Sequence, residues 1–125
     1  MSTRTESDCL GTMELPEDCQ WGIHTERALN NFPALGKPVN PRLLSAYFQV
    51  KKACALANKE LGHLAPEKAD AIIGSCDLMP MPSCPLPALQ GGAGTSTHMM
   101  VNELIGQHAN AHPIEEVNLH QSTND

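Results

Sequence analysis

The chain has 125 residues and a mass of 13.5 kDa, which suits one domain and lies well below the size of most complete metabolic enzymes. Hydrophobic residues make up 41% and charged residues 18%, which excludes a polar disordered chain, yet aromatic residues make up only 3%. The net charge is −6, and the few Lys and Arg are too dispersed to form a basic stripe. We therefore expect no nucleic-acid partner.

The sequence shows no sign of a membrane or secreted location. No window approaches the roughly 18 apolar residues that a membrane span needs, and the start lacks the charged-then-apolar pattern of a signal peptide. Five cysteines, an odd number without a C-x-x-C pair, favour reduced thiols over a disulfide framework. These features predict a cytoplasmic protein with no membrane partner.

Residues 1–40 predict an irregular arm, because Gly and Pro interrupt them and no period is sustained. Short helices or a hairpin remain open there. Asn40 and Pro41 then give a capping residue followed by a favourable first helical residue. We predict a helical hairpin over residues 41–79, whose long first helix stops at Gly62 and whose shorter second helix begins at Pro66 and is ended by Pro80.

The long helix carries an apolar stripe at steps of four and three residues. Its members are Leu43, Tyr47, Val50, Cys54, Ala57 and Leu61. This stripe predicts an apolar surface that meets a helical bundle or partner not contained in these 125 residues, and it places Lys51, Lys52 and Asn58 elsewhere.

Residues 80–94 predict a Pro/Gly-rich connection, extended over its proline run. A third helix is predicted over residues 95–111, followed by a polar segment over residues 112–125.

The Gly-rich turn before the third helix combines free backbone N–H groups, a helix dipole end and three hydroxyls. Such a turn can hold a carboxylate or a phosphate, although it lacks the Lys of a P-loop. The alternative is a plain N-cap in which Thr95 or Ser96 satisfies the helix start. The polar ending, residues 122–125, is a second cluster of neutral donors, with a helix cap or a frayed tail as its alternative.

The histidines and cysteines give no further site. Six histidines are present, but none has the spacing and acidic helper of a zinc site, so we expect no metal. Cys54 and Cys76 fit buried small hydrophobes.

Four motif blocks, in order, resemble the N-terminal part of aspartate ammonia-lyases, members of the aspartase/fumarase superfamily. They are residues 21–28 with 31–32, residues 50–53 with 56–58, residues 90–97, and residues 112–113 with 117–118 and 121–125. The Gly-Ile-His-Thr, Gly-Gly-Ala-Gly-Thr-Ser-Thr and Ser-Thr-Asn-Asp sequences are similar to aspartases, whereas class II fumarases usually carry Gly-Ala-Gln-Thr, Gly-Ser-Gly-Thr and Ser-Ser-Asn-Asp.

This resemblance implies a mainly α N-terminal domain of the aspartase/fumarase fold and elimination of ammonia from L-aspartate to give fumarate. It implies no metal or organic cofactor, and a homotetramer whose active sites each draw on three subunits. Residues implied to bind substrate carboxylates are Thr95, Ser122, Thr123 and Asn124, with Ser96, Thr97 and His112 as further candidates.

The resemblance implies no catalytic residue within this chain, because the family's general-base serine lies on a mobile loop far downstream. The chain is therefore expected to be inactive alone. Two alternatives stay open: a fragment of a class II fumarase-like lyase, and a truncated non-catalytic paralogue that acts as an interaction module.

Several positions depart from the family pattern. His98 and Met100 stand where the family usually has Asn, and the stretches before Gln90 and before His112 are shorter than usual. The His112-Pro113 segment carries added carboxylates in place of the family's Asn, so a secondary dicarboxylate site like that of fumarases is doubtful here.

Overall fold

The computed structural model describes residues 2–78 and 85–123. Its elements are β1 (Thr3–Asp8), β2 (Gly11–Pro16), α1 (Ile23–Asn31), α2 (Pro41–Glu60), α3 (Pro66–Leu78), α4 (Thr95–Ala109) and a π-helical turn, Pro113–Val117. The predicted mainly α fold is confirmed. Asn124 and the proline run before Pro85 lie outside the described residues.

The N-terminal arm is more regular than the irregular segment predicted from its sequence. β1 and β2 pair antiparallel, with Asp8 opposite Gly11, and Gly11 takes a positive φ of 123° that favours glycine. After the hairpin the chain enters α1. The hairpin and the short helix, which the sequence had left open, are both present, because cross-strand pairing and tertiary contacts stabilise segments too short to show a period.

Arg4 fastens the hairpin to the helices. Its Nη1 donates to the carbonyls of Pro16, Glu17 and Cys19, and its Nη2 donates to Trp21 O at 2.6 Å and to Gln107 Oε1 at 3.0 Å. A planar guanidinium with several fixed donors suits such convergent carbonyls. This contact sets where the chain enters α1.

The helix α2 begins as predicted, and the face that it buries within the domain is not the apolar stripe. Asn40 accepts from Arg42 N at 2.9 Å as the N-cap, and Gly62 follows the helix with a φ of 74°. The buried residues are Leu44, Phe48, Lys51, Ala55 and Asn58.

The apolar stripe singled out in the sequence is in large part exposed: its members Leu43, Val50 and Leu61 are 50%, 41% and 67% exposed. The buried set has the same spacing of four and three, displaced by one residue. Both sets fit a helix, so the period alone does not choose between them. Lys51 and Asn58 are on the buried face because their polar ends find hydrogen-bond partners there.

The helix α4 is the centre of the domain. It is buried on nearly all sides, and Met100, Val101 and Ile105 have no measurable exposure. Leu44, Phe48, Ile72 and Cys76 of the hairpin belong to the same apolar core. A helix surrounded in this way holds its side chains in fixed positions.

The connection before α2 packs against the connection before α4. Extended residues on either side of Leu86 pair with the segment before α2, through Val39 N to Leu86 O at 3.3 Å and Ala88 N to Lys37 O at 2.8 Å. None of the helices in the described ranges combines the length and the apolar character that crossing a bilayer requires.

Candidate functional site: two polar clusters joined by Lys51

The Gly-rich turn leads into α4 through a left-handed residue. Gly94 is the N-cap at φ 92°, so Thr95 is already the first helical residue. The alternative in which Thr95 or Ser96 caps the helix is therefore wrong. The Gln90 side chain instead satisfies a donor at the helix start, since its Oε1 accepts hydrogen bonds from the N–H and the Oγ1 of Thr97, both at 3.2 Å.

The start of α4 keeps donors available. Within the described ranges, no side chain accepts from the backbone N–H of Thr95 or Ser96, and the Thr95 side chain is exposed. Thr97, by contrast, is 4% exposed and bound to Gln90. Free N–H groups at a helix N-terminus, beside a hydroxyl, favour an anion.

The polar ending is held in place at its base. Asn118 Nδ2 donates to Ser122 O at 3.1 Å, and Gln121 Nε2 donates to Val117 O at 2.9 Å. Ser122 and Thr123 are exposed, and the fourth predicted residue of this cluster, Asn124, lies outside the described residues.

Lys51 joins the two clusters. Its ammonium is fully buried and lies 2.7 Å from His98 Nε2 of α4, 2.8 Å from Asn118 Oδ1 and 2.8 Å from Gln121 Oε1. His98 is one helical turn after Thr95, and Gln121 directly precedes Ser122. One buried cation thus ties the helix that begins at Thr95 to the segment that carries Ser122 and Thr123.

Sequence reasoning missed Lys51 as a site residue. It lies inside a motif block that carries the family resemblance, and it shares four-and-three spacing with Leu44 and Phe48. That spacing was the signal in the sequence that Lys51 is buried. A lysine is normally counted as polar, so the spacing was overlooked, although the long methylene stem of lysine packs well within a helix interface.

His112 belongs to another part of the molecule. Its Nδ1 accepts from Ile114 N at 3.2 Å and Glu115 N at 3.1 Å, so the imidazole caps the π-helical turn. It borders a cavity of about 780 Å³ that is also lined by His24, Glu103 and Gln107, and that neither Thr95 nor Ser122 borders. Ser96 borders a different cavity of about 600 Å³.

A buried carboxylate orients α1 against α4. Glu103 accepts from the N–H groups of Gly22, His24 and Thr25 at 2.5, 2.7 and 3.3 Å. Burial raises the pKa of Glu103, and hydrogen bonds from Thr25 and Gly22 offset part of the rise. A carboxylate at a helix N-terminus interacts favourably with the dipole, so this contact positions the Trp21–Ala28 block.

No metal centre is found in the part of the chain that the structure describes. No three His, Cys, Asp or Glu side chains converge there. Burial raises the pKa of the Cys76 thiol to about 11, which keeps it protonated and unreactive at neutral pH.

Comparison with known proteins agrees with the fold and the motif blocks. A family model described as lyase matches residues 11–125. Aspartate ammonia-lyase from Pseudomonas aeruginosa is 42% identical over 142 positions, covering 99% of this chain and 30% of that protein. Class II fumarate hydratase from Halobacterium salinarum is 39% identical over 137 positions, covering 98% of this chain and 29% of that protein.

Solved structures show the same architecture. The fumarate lyase:delta crystallin from Brucella melitensis superposes with a TM-score of 0.92 at 39% identity, over 99% of this chain and 33% of that chain. The class II fumarase from Schistosoma mansoni superposes with a TM-score of 0.91 at 29% identity, over 99% of this chain and 30% of that chain.

A mainly helical domain with this turn, this polar ending and these matches defines a lyase N-terminal domain. The chain belongs to the lyase family, within the aspartase/fumarase superfamily. It spans about 30% of the length of the curated relatives it matches.

Proposed function

We propose that the chain is the N-terminal part of an aspartate ammonia-lyase, which converts L-aspartate to fumarate and ammonia. Its contribution is carboxylate binding by Thr95, Ser122, Thr123 and Asn124. The observation that carries this proposal is the buried link through Lys51, which holds the start of α4 and the base of the polar ending in one arrangement. Ser96, Thr97 and His112 are weaker candidates for carboxylate binding. Ser96 and His112 border other cavities, and the Thr97 hydroxyl is hydrogen-bonded to Gln90.

The chemistry needs donors of this type. Removing a proton from the carbon beside a carboxylate creates a dianion, and preorganised donors around that carboxylate stabilise it. Hydroxyl and N–H groups are neutral donors, so they bind the carboxylate without cancelling its charge. Hydrogen bonds to a charged group contribute about 1.5–3 kcal/mol each, so three or four of them supply a substantial part of the stabilisation.

The proton acceptor is proposed to come from another part of the enzyme, as the resemblance implies, so this chain alone forms no fumarate. The test is the ultraviolet absorbance of fumarate after mixing the purified chain with L-aspartate. Turnover by the chain alone, with a rate proportional to its concentration, would contradict the division of labour.

The substrate is tested in a chimera. The matched N-terminal part of the Pseudomonas aeruginosa relative is replaced by this chain, and the chimera is assayed with L-aspartate and with L-malate. We expect fumarate from aspartate and little from malate. The alternative, a class II fumarase-like lyase, has its support in the 40% identity to the Staphylococcus epidermidis fumarate hydratase. It is favoured if the same chimera is active on malate alone.

A second candidate is a non-catalytic paralogue that acts as an interaction module, and the exposed apolar residues of α2 favour it. Leu43 and Val50 of α2, and Leu61 directly after it, are exposed and do not belong to the domain core. A full-length lyase is mixed with the chain and separated by size. A stoichiometric complex that leaves the lyase inactive favours the interaction module. The enzyme proposal instead expects a homo-oligomer in the cytoplasm, as in the family.

A further inference from the structure

His98 lies at the junction between α4, α2 and the polar ending. Its side chain is 1% exposed. Nε2 lies 2.7 Å from Lys51 Nζ and 3.3 Å from Asn102 Nδ2, and the ring stacks on Tyr47 with centroids 5.9 Å apart. An amide side chain at this position would not fill this space in the same way.

The geometry assigns the protonation of the ring. An ammonium has no lone pair, so Nε2 of His98 must accept the hydrogen bond from Lys51 and carries no proton. The ring is therefore neutral, with its proton on Nδ1. The titratable groups that contact it include Lys51 and Tyr47, both from α2. Asn118 and Gln121 are neutral, and the carboxylate of Glu103 is engaged at the start of α1.

We propose that His98 is a positioning residue for carboxylate binding. By accepting on Nε2 it fixes the Lys51 ammonium, the ammonium fixes Asn118 and Gln121, and these two hold Ser122 and Thr123 relative to the start of α4. The ligand part of this inference rests on the proposed function, and the ligand class is a small dicarboxylate.

Protonation of His98 breaks the link in a defined way. An imidazolium has donors on both nitrogens, so Nε2 and the Lys51 ammonium become two cationic donors 2.7 Å apart. The pair separates, and the segment held by Gln121 moves. A position occupied by an amide has no such response, so this chain has an acid sensitivity that depends on His98.

The first test uses nuclear magnetic resonance on the uniformly ¹⁵N-labelled chain. At neutral pH, Nε2 of His98 is expected to resonate as an unprotonated nitrogen and Nδ1 as a protonated one. On acidification, the amide signals of Gln121, Ser122 and Thr123 are expected to move together with the His98 ring. The opposite tautomer, or amide signals that stay fixed while the His98 ring titrates, overturns the proposal.

Two variants assign the response to its source. His98→Asn is expected to abolish the common movement of the amides. His120→Asn removes the imidazole next to Gln121 and keeps a residue type that tolerates the positive φ of 59° at that position. In this control the movement is expected to remain. Movement that survives in His98→Asn and disappears in His120→Asn overturns the role of His98.

The second test measures succinate binding by calorimetry. His98→Leu, which has no acceptor, is expected to weaken binding at least tenfold at neutral pH, and His98→Asn is expected to recover most of that loss. Acidification is expected to weaken binding in the unmodified chain more than in His98→Asn. Equal affinities for His98→Leu and the unmodified chain overturn the proposal. If succinate does not bind the unmodified chain, the proposed function fails, while the resonance measurements still decide the role of His98.

Discussion

The carboxylate of Glu103 lies directly against the backbone of Gly22, which precedes it by 81 residues, with 2.5 Å between Oε2 and the amide nitrogen. Glu6 approaches the same turn and accepts from Ile23 N at 2.8 Å. Two carboxylates thus lie at the N-terminus of α1. The helix dipole, and N–H groups that have no partner within the helix, stabilise them. A Cβ at Gly22 would lie 2.9 Å from both carboxylates, so any larger residue there requires the two Glu side chains to shift.

Gly22→Ala should destabilise the domain. A Cβ at this position would lie 2.9 Å from Glu103 Cδ, Glu103 Oε2 and Glu6 Oε2, so the carboxylates must retreat from the N–H groups they accept. We expect a loss of about 1–3 kcal/mol in the free energy of unfolding, measured with urea. The matched control is Gly74→Ala in α3, where a Cβ meets nothing within 4 Å. It should stabilise by about 0.5–1 kcal/mol, and equal effects at the two glycines would contradict this explanation.

The Asp8–Arg27 pair predicts an acid-dependent stability. Arg27 contacts both carboxylate oxygens, at 2.7 and 2.8 Å. The hydrogen bond from Arg27 lowers the pKa of Asp8 from 3.8 to about 2. Since the folded pKa lies below the unfolded one, the stabilisation is fully present above about pH 4 and is lost as the pH falls through about 2.

Asp8→Asn should flatten that part of the pH profile, measured as the urea midpoint at each pH. Asp70→Asn is the control, because Asp70 is 59% exposed in its pair with Lys59 and contributes little. A profile that keeps its full slope between about pH 4 and about pH 2 in Asp8→Asn would assign the effect to other carboxyl groups.

Lys51 and Lys52 are adjacent lysines whose substitution is predicted to destabilise the fold to different extents. Lys51→Met should cost about 3 kcal/mol, because the acceptors of His98, Asn118 and Gln121 lose a buried donor. Lys52→Met should cost less than about 1 kcal/mol, since Lys52 pairs with Asp77 at the surface. Urea unfolding of both variants makes the comparison. Similar losses would mean that the buried link does not stabilise the fold.

Leu43 and Leu44 test which face of α2 is buried. Leu44 is 1% exposed and Leu43 is 50% exposed. Leu44→Ala should cost about 2–5 kcal/mol in the free energy of unfolding, and Leu43→Ala less than about 0.5 kcal/mol. The reverse order would mean that the stripe containing Leu43, and not the face containing Leu44, packs against the core.

These neighbouring residues also show how far sequence reasoning reaches. The start of α2 at Asn40-Pro41, its stop near Gly62 and the helix after Gly94 follow from local chemistry, which sequence contains. The orientation of α2 does not, because two stripes of equal spacing run along it and the choice depends on which one α3 and α4 cover. Burial of Lys51 depends on hydrogen-bond acceptors that lie 47 to 70 residues away in the sequence, so it follows only from the tertiary structure.

The candidate site divides in the same way. The carboxylate-binding residues were selected by motif resemblance, and Thr95 and Ser122 remain predictions on that basis. Gln90 as the cap of α4 and Lys51 as the link between the clusters required three-dimensional distances. Neither is adjacent in sequence to the groups it holds.

The most direct measurement is kcat/KM for L-aspartate in the chimera described above, with and without Thr95→Val. Removal of one preorganised donor to a developing oxyanion should lower kcat/KM by about 10²–10³. Thr12→Val, an exposed hairpin residue, is the control and should leave it unchanged. An active, correctly assembled chimera whose kcat/KM is the same for Thr95→Val and for Thr12→Val would contradict carboxylate binding at the start of α4.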